Sequence, residues 1–167
     1  LHKSAYEDAQ KFVSKYLKDR YLTIADIGSY DVNGTLRPIF DNPKWKYIGY
    51  DIEIGPNVDV LLSSHYDWSE IKSNSFDVVV STQVLEHVKH PWRWIKEVYR
   101  ICKPNGIIYI CTPNSIGYHA FPIDCWRVWP EGMNALFEEA GVIPLDVYAI
   151  NGDTTGIGSK LVEIKFN

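Results

Sequence analysis

Residues 76–81, Phe-Asp-Val-Val-Val-Ser, set the strictest limit on the fold. Val78, Val79 and Val80 are three consecutive β-branched residues, so a strand here has no face that tolerates water. Such a strand has to be covered on both sides, as in a parallel sheet flanked by helices, and not in a half-solvated antiparallel one. Further short apolar runs at residues 21–27, 46–51, 58–62 and 107–111 read as companion strands, with two closing strands at about 144–150 and 160–166 around a loop rich in Gly, Thr and Asp. Helical stripes lie between most of them. Ser4-Ala5-Tyr6-Glu7 has the form of a capping box opening an amphipathic helix that runs to about Leu17. Trp94, Ile95, Val98, Ile101 and Cys102 form a second stripe behind Pro91, ended by Pro104-Asn105-Gly106. Met133, Leu136, Phe137 and Ala140 form a third after Pro130, with Gly141 placed as a left-handed cap. The expected architecture is α/β: a Rossmann-like, doubly wound, mostly parallel seven-stranded sheet with the last strand antiparallel. At 167 residues the chain reads as one domain, residues 1–167.

In such a sheet ligands bind outside the carboxyl ends of the strands, beside the point where strand order reverses. Two sequence features belong there. Asp26-Ile27-Gly28-Ser29-Tyr30-Asp31-Val32-Asn33-Gly34 is a strand passing into a Gly-bounded turn and then a helix. Its glycine lets backbone approach a ligand, and its acid can receive a cationic amine. Asp51 follows Gly28 by 23 residues, at the end of the next strand, from which a carboxylate accepts hydrogen bonds from ribose hydroxyls. The shared implication is adenosine. A dinucleotide site prefers a second glycine that admits pyrophosphate, and Tyr30 occupies that place here.

Ser75-Phe76-Asp77-Val78-Val79-Val80-Ser81-Thr82-Gln83-Val84-Leu85-Glu86-His87-Val88, followed by a helix and Lys103-Pro104-Asn105-Gly106, resembles the fourth-strand region of class I S-adenosylmethionine-dependent methyltransferases. With the Gly28 loop and Pro122-Ile123-Asp124-Cys125-Trp126-Arg127, the likeness extends to a small, methyltransferase type 11-like branch. The resemblance implies S-adenosylmethionine as cofactor, with Asp26, Gly28 and Ser29 at its methionine end and Asp51 and Ile52 at ribose and adenine. Ser64 and His65, with Asp67 as a substitute, are implied near the adenine, and Thr82 and Gln83 close over the sulfonium. It implies methyl transfer to a small-molecule or sugar acceptor, at oxygen. The alternatives are a catalytically silent S-adenosylmethionine-binding protein and an NAD-type oxidoreductase.

Where the acceptor is a hydroxyl, a neutral imidazole or a carboxylate has to take its proton, and His119, Asp124 and His87 are the candidates. Arg127 either binds an anionic acceptor or pairs with Asp124 to fix its loop, while Trp126 and Trp129 read as packing residues. No metal motif is expected. A net charge of −4 argues against a phosphate-binding face, so nucleic acid is not an expected partner. Cys102, Cys111 and Cys125 lack metal-type spacing and read as free, packed thiols in a reducing compartment. The apolar runs are too short to cross a bilayer, which leaves a cytoplasmic location and no membrane partner as the expectation. Oligomeric state is left open.

Overall fold

The computed structural model describes residues 2–161. Three α-helices, α1 (Lys3–Tyr16), α2 (Pro91–Ile101) and α3 (Pro130–Ala140), accompany seven strands. These are β1 (Leu22–Ile27), β2 (Trp45–Asp51), β3 (Val60–Leu61), β4 (Phe76–Thr82), β5 (Cys102–Pro113), β6 (Ile143–Ile150) and β7 (Asp153–Ser159). They form one sheet in the order β3-β2-β1-β4-β5-β7-β6, in which β7 alone runs against its neighbours. Strand order reverses between β1 and β4, where Ile24 pairs with Val78 and Asp26 with Val80.

The pleat sends alternate residues to opposite faces, and both faces are filled. Ala25, Ile27, Val79, Ile108 and Ile110 pack with Trp94, Ile95 and Val98 of α2 and with Met133 and Phe137 of α3. Ile24, Val78, Val80, Tyr109 and Cys111 pack with Ala5, Ala9 and Phe12 of α1 on the other side. The valine run is therefore enclosed as its composition requires. Helix α1 is also held by a polar anchor: buried Asp8 accepts hydrogen bonds from the hydroxyls of Tyr109, Tyr148 and Thr155 at 2.8, 2.8 and 2.7 Å.

Several elements differ from the sequence reading. Helix α1 begins two residues early, with His2 at its N-cap and Ser4 already inside it, so Ser4 and Glu7 form no capping box. The Gly28 loop leads into a single 3-10 turn, Arg37–Phe40, and not into an α-helix. Gly34, Pro38 and Pro43 leave room for no more than that. Pro104-Asn105-Gly106 does not separate α2 from β5. The strand starts at Cys102, and these residues bulge out between the pairs Phe76–Cys102 and Val78–Ile107, with Asn105 at φ 63°. The supposed Gly/Thr/Asp loop is β7 itself. Its glycines are needed because α3 packs flat on the strand: a Cβ on Gly156 would lie 2.5 Å from Met133, and one on Gly158 2.4 Å from Val142. The strand expected at 160–166 lies mostly outside the described residues. Cys102 and Cys111 are buried, whereas Cys125 is exposed, as are Trp126 and Trp129, because the segment after β5 crosses the surface. Among the described residues no helix is long and apolar enough to cross a membrane.

Candidate active site

A cavity of about 630 Å³ opens at the carboxyl ends of β1, β2 and β4, within the range of small-molecule sites. Its floor is the turn after β1. The Gly28 and Ser29 N–H groups both donate to the Tyr50 carbonyl, at 2.9 and 3.0 Å, which holds the turn against β2. Gly28 has φ 79°, and a Cβ built on it would lie 2.2 Å from Val84 Cγ2. Both the backbone conformation and the close approach of the loop after β4 therefore call for glycine.

Two acids frame this end. Asp51 closes β2, and its Oδ2 and Oδ1 accept the N–H groups of Tyr30 and Glu53 at 3.0 and 3.1 Å. These bonds fix the carboxylate while each oxygen keeps a lone pair for a ligand. Asp26 is buried below the turn and bonded to the Tyr47 hydroxyl. Burial pushes its carboxyl up to about 7, against the hydrogen bond from Tyr47 and the charge of Arg37, whose guanidinium lies 4.4 Å above the Tyr47 ring. Ile52, His65 and Thr82 also line the cavity. Ser29 lines it too, with its hydroxyl donating to the Asn57 carbonyl at 3.1 Å. Gln83 reaches the cavity in a left-handed conformation, φ 58°, and its Nε2 donates to Asp153 at 3.1 Å. Asp153 in turn meets His2, so the start of α1 forms part of the wall. Ser64 and Asp67 are not among the lining residues. The Ser64 hydroxyl instead accepts the Tyr66 and Asp67 N–H groups, each at 3.2 Å.

The same cavity is also lined by Glu86, His87 and His119. Glu86 and His87 lie in a 3-10 turn, Leu85–His87, and His119 comes from the long segment after β5. Glu86 is 0% exposed. Its Oε2 accepts from Thr112 at 3.1 Å, while its Oε1 has no hydrogen-bond partner among the described residues and faces Nε2 of His87 and of His119, both at 3.4 Å. Burial raises the Glu86 carboxyl above its ordinary range, opposed by its own backbone N–H and the neighbouring imidazoles. The two rings stand edge to face, 5.1 Å apart.

Asp124 is not among the residues lining the cavity. Arg127 grips it with two bonds of 2.7 Å, and the His119 N–H donates to it at 2.7 Å. The guanidinium holds the carboxyl far below the usual carboxylate range, so it is a poor proton acceptor near neutrality. Arg127 also donates to the carbonyls of Ile116 and Gly117, fixing the loop that carries His119. Sequence reasoning left two residues of this region without a role. Glu86 stood only as one residue of the fourth-strand motif, though an acid between Leu85 and Val88 was the available signal. Tyr47 reaches Asp26 through a register, Asp26 opposite Gly49, that no motif carries.

Residues 2–142 match the family model described as a methyltransferase domain. A ubiquinone biosynthesis O-methyltransferase of Photobacterium profundum is 30% identical over 63 residues, 38% of this chain and 27% of that protein, so the match spans about a quarter of its length. Among solved structures, the methyltransferase in complex with the Trm112 activator of Haloferax volcanii superposes with TM-score 0.73 at 17% identity, over 95% of this chain and 93% of that one. The Burkholderia thailandensis 1,6-didemethyltoxoflavin-N1-methyltransferase, solved with its acceptor and S-adenosylhomocysteine, gives TM-score 0.73 at 17% identity, over 96% of this chain and 80% of its own. At these identities the structural likeness concerns the fold.

Proposed function

The chain belongs to the methyltransferase-domain family, and from that premise we propose that it transfers a methyl group from S-adenosylmethionine to a hydroxyl of a small-molecule or sugar acceptor. The observation that carries this reading is one cavity lined by two chemically distinct groups of residues, the Gly28 turn with Asp26 and Asp51, and the Glu86, His87 and His119 cluster. The two apolar clusters share a single sheet, which supports reading the chain as one catalytic domain.

The residues present fit the cofactor. The close approach of Val84 to Gly28 gives a narrow, Cβ-free floor for the methionine end, with Asp26 beneath it to receive an ammonium group. Asp51 is oriented by two backbone N–H groups toward a ribose diol, and Ile52 supplies an apolar edge for adenine. When bound, the cofactor supplies an electrophilic methyl on a sulfonium whose departing thioether is neutral. The protein then has to align the acceptor within about 3–3.5 Å of that carbon and remove a proton. His119, 41% exposed in its side chain, and His87 stand where an acceptor enters, with Glu86 behind both. The Glu86, His87 and His119 cluster would take up the proton of an acceptor hydroxyl aligned with that carbon. Asp124 acts through its grip on the His119 loop and not as a base.

The oxygen preference is supported by the name of the Photobacterium relative and by the imidazole-carboxylate cluster, since a hydroxyl needs a proton acceptor more than an amine does. Transfer of tritium from methyl-labelled S-adenosylmethionine to a fractionated metabolite extract tests the reading. Label in an alkali-stable, small-molecule product is expected. Cofactor binding with no labelled product would overturn it in favour of a silent binder.

A further inference from the structure

We propose that Glu86, His87 and His119 form a binding site for one divalent transition-metal ion of the zinc class. The first ground is the direction in which the imidazoles point. His87 Nδ1 lies 2.5 Å from the Ile123 carbonyl and His119 Nδ1 lies 3.0 Å from the Gly117 carbonyl. A carbonyl only accepts, so each Nδ1 carries the hydrogen and each neutral ring turns the lone pair of Nε2 toward Glu86 Oε1. The contact of Arg127 with His119 Nδ1, at 3.5 Å, is longer and does not reverse this tautomer. Two nitrogen lone pairs and an ionised carboxylate oxygen facing one another repel, and a metal cation between them turns that repulsion into three bonds.

The second ground is spacing. Zinc binds imidazole nitrogen and carboxylate oxygen at about 2.0–2.2 Å, so two ligands at tetrahedral angles lie about 3.3–3.5 Å apart. Oε1 is 3.4 Å from each Nε2, and the three ligand atoms lie within 4.8 Å of one another. The third ground is the surrounding support. Backbone carbonyls hold both rings by Nδ1, and Thr112 holds Glu86 by Oε2, leaving the fully buried Oε1 free of any hydrogen bond. This is the outer-shell pattern that orients metal ligands. Two imidazoles with one carboxylate favour zinc, cobalt or iron over magnesium, which prefers oxygen alone.

The remaining coordination position faces the cavity, where His87 and His119 both form the wall. On the methyl-transfer reading above, and resting on it, the bound ion replaces the free imidazoles as what draws off the proton: an acceptor hydroxyl held on it is acidified and releases its proton to solvent at lower pH. The metal site itself does not depend on that reading.

The test is titration of the chelator-treated full chain with Co²⁺ alone, followed by visible absorption, and with Zn²⁺ alone in competition. The expected result is one equivalent of Co²⁺ giving tetrahedral d–d bands, displaced by Zn²⁺. Glu86→Gln and His119→Ala are each expected to weaken Zn²⁺ binding at least tenfold. S-adenosylhomocysteine affinity, measured alongside, reports whether each variant is folded with the cofactor end intact. Absence of stoichiometric binding in the wild-type chain, or binding undiminished in a variant that still takes up S-adenosylhomocysteine, would overturn the site. A chain that binds metal but no S-adenosylhomocysteine would sink the methyl-transfer reading and leave the metal site standing.

Discussion

The Asp26 carboxyl and the Tyr47 hydroxyl share a hydrogen bond directly beneath the Gly28 turn, with Asp26 almost wholly removed from solvent. The pair gives the cavity beneath this turn an acid whose charge depends on pH in the neutral range. Its carboxyl stands at about 7, against 3.8 in an unfolded chain, with burial as the leading cause. Between those two values the folded protein holds a proton that the unfolded chain has released, so Asp26 contributes stability below about pH 4 that is lost as pH rises toward 7.

Two outcomes follow for Asp26→Asn. In chemical denaturation the wild-type chain loses stability between about pH 4 and 7 relative to the variant, and the difference is constant above 7. In calorimetry, wild-type affinity for S-adenosylhomocysteine rises roughly tenfold from pH 5.5 to 8 as the carboxylate forms, with proton release on binding, and the variant shows a flat profile. Parallel profiles for the two proteins would remove Asp26 from contact with the amine.

Gly28→Ala places a methyl group against Val84 at a backbone angle that L-residues rarely adopt. The combined strain and overlap is expected to cost about 1–3 kcal/mol of stability and to weaken S-adenosylhomocysteine binding at least tenfold. Urea unfolding and calorimetry on the same preparation measure both. The double variant Gly28→Ala, Val84→Ala is expected to recover part of the stability but not the affinity, since the turn remains strained.

If Asp51 holds the ribose as proposed, Asp51→Ala removes two charge-assisted hydrogen bonds, and the expected loss of S-adenosylhomocysteine affinity is about 1.5–3 kcal/mol in total because the carboxylate is partly solvated. Asp51→Asn keeps one acceptor and is expected to lie between wild type and Ala. An Ala variant that binds as tightly as wild type would take Asp51 out of the site.

His119→Ala is expected to lower turnover by about 10²–10⁴ while leaving S-adenosylhomocysteine affinity within twofold, as the proposed role of the imidazole toward the acceptor requires. Arg127→Gln frees the Asp124 carboxylate and loosens the loop that carries His119. It is expected to raise KM for the acceptor more than it changes cofactor binding. Equal loss of both properties in His119→Ala would place that residue on the cofactor side.

The parts of this protein legible in its sequence are those governed by short-range rules. The valine run of β4 demanded cover on both faces, Pro91 and Pro130 opened helices, and Gly141 ended α3 in the left-handed conformation, φ 86°. Long-range packing produced the misreadings. Gly156 and Gly158 look like loop residues until α3 is laid across them, and Pro104-Asn105-Gly106 looks like a break until the ladder with β4 is seen to resume beyond it. At the site, Gly28 and Asp51 announce themselves by spacing. Ser64 reads as a ligand contact but closes its own turn, and Asp124 reads as a base but is held by Arg127 three residues on. Glu86 gains meaning only when the segment after β5 brings His119 to it, more than thirty residues along the chain.

The most direct test of the account is a crystal structure of the chain with S-adenosylhomocysteine bound. The ribose hydroxyls are expected on Asp51, the amine above Asp26, and the sulfur facing the space in front of His87 and His119. A ligand seated elsewhere, or a sulfur turned away from those imidazoles, would contradict it.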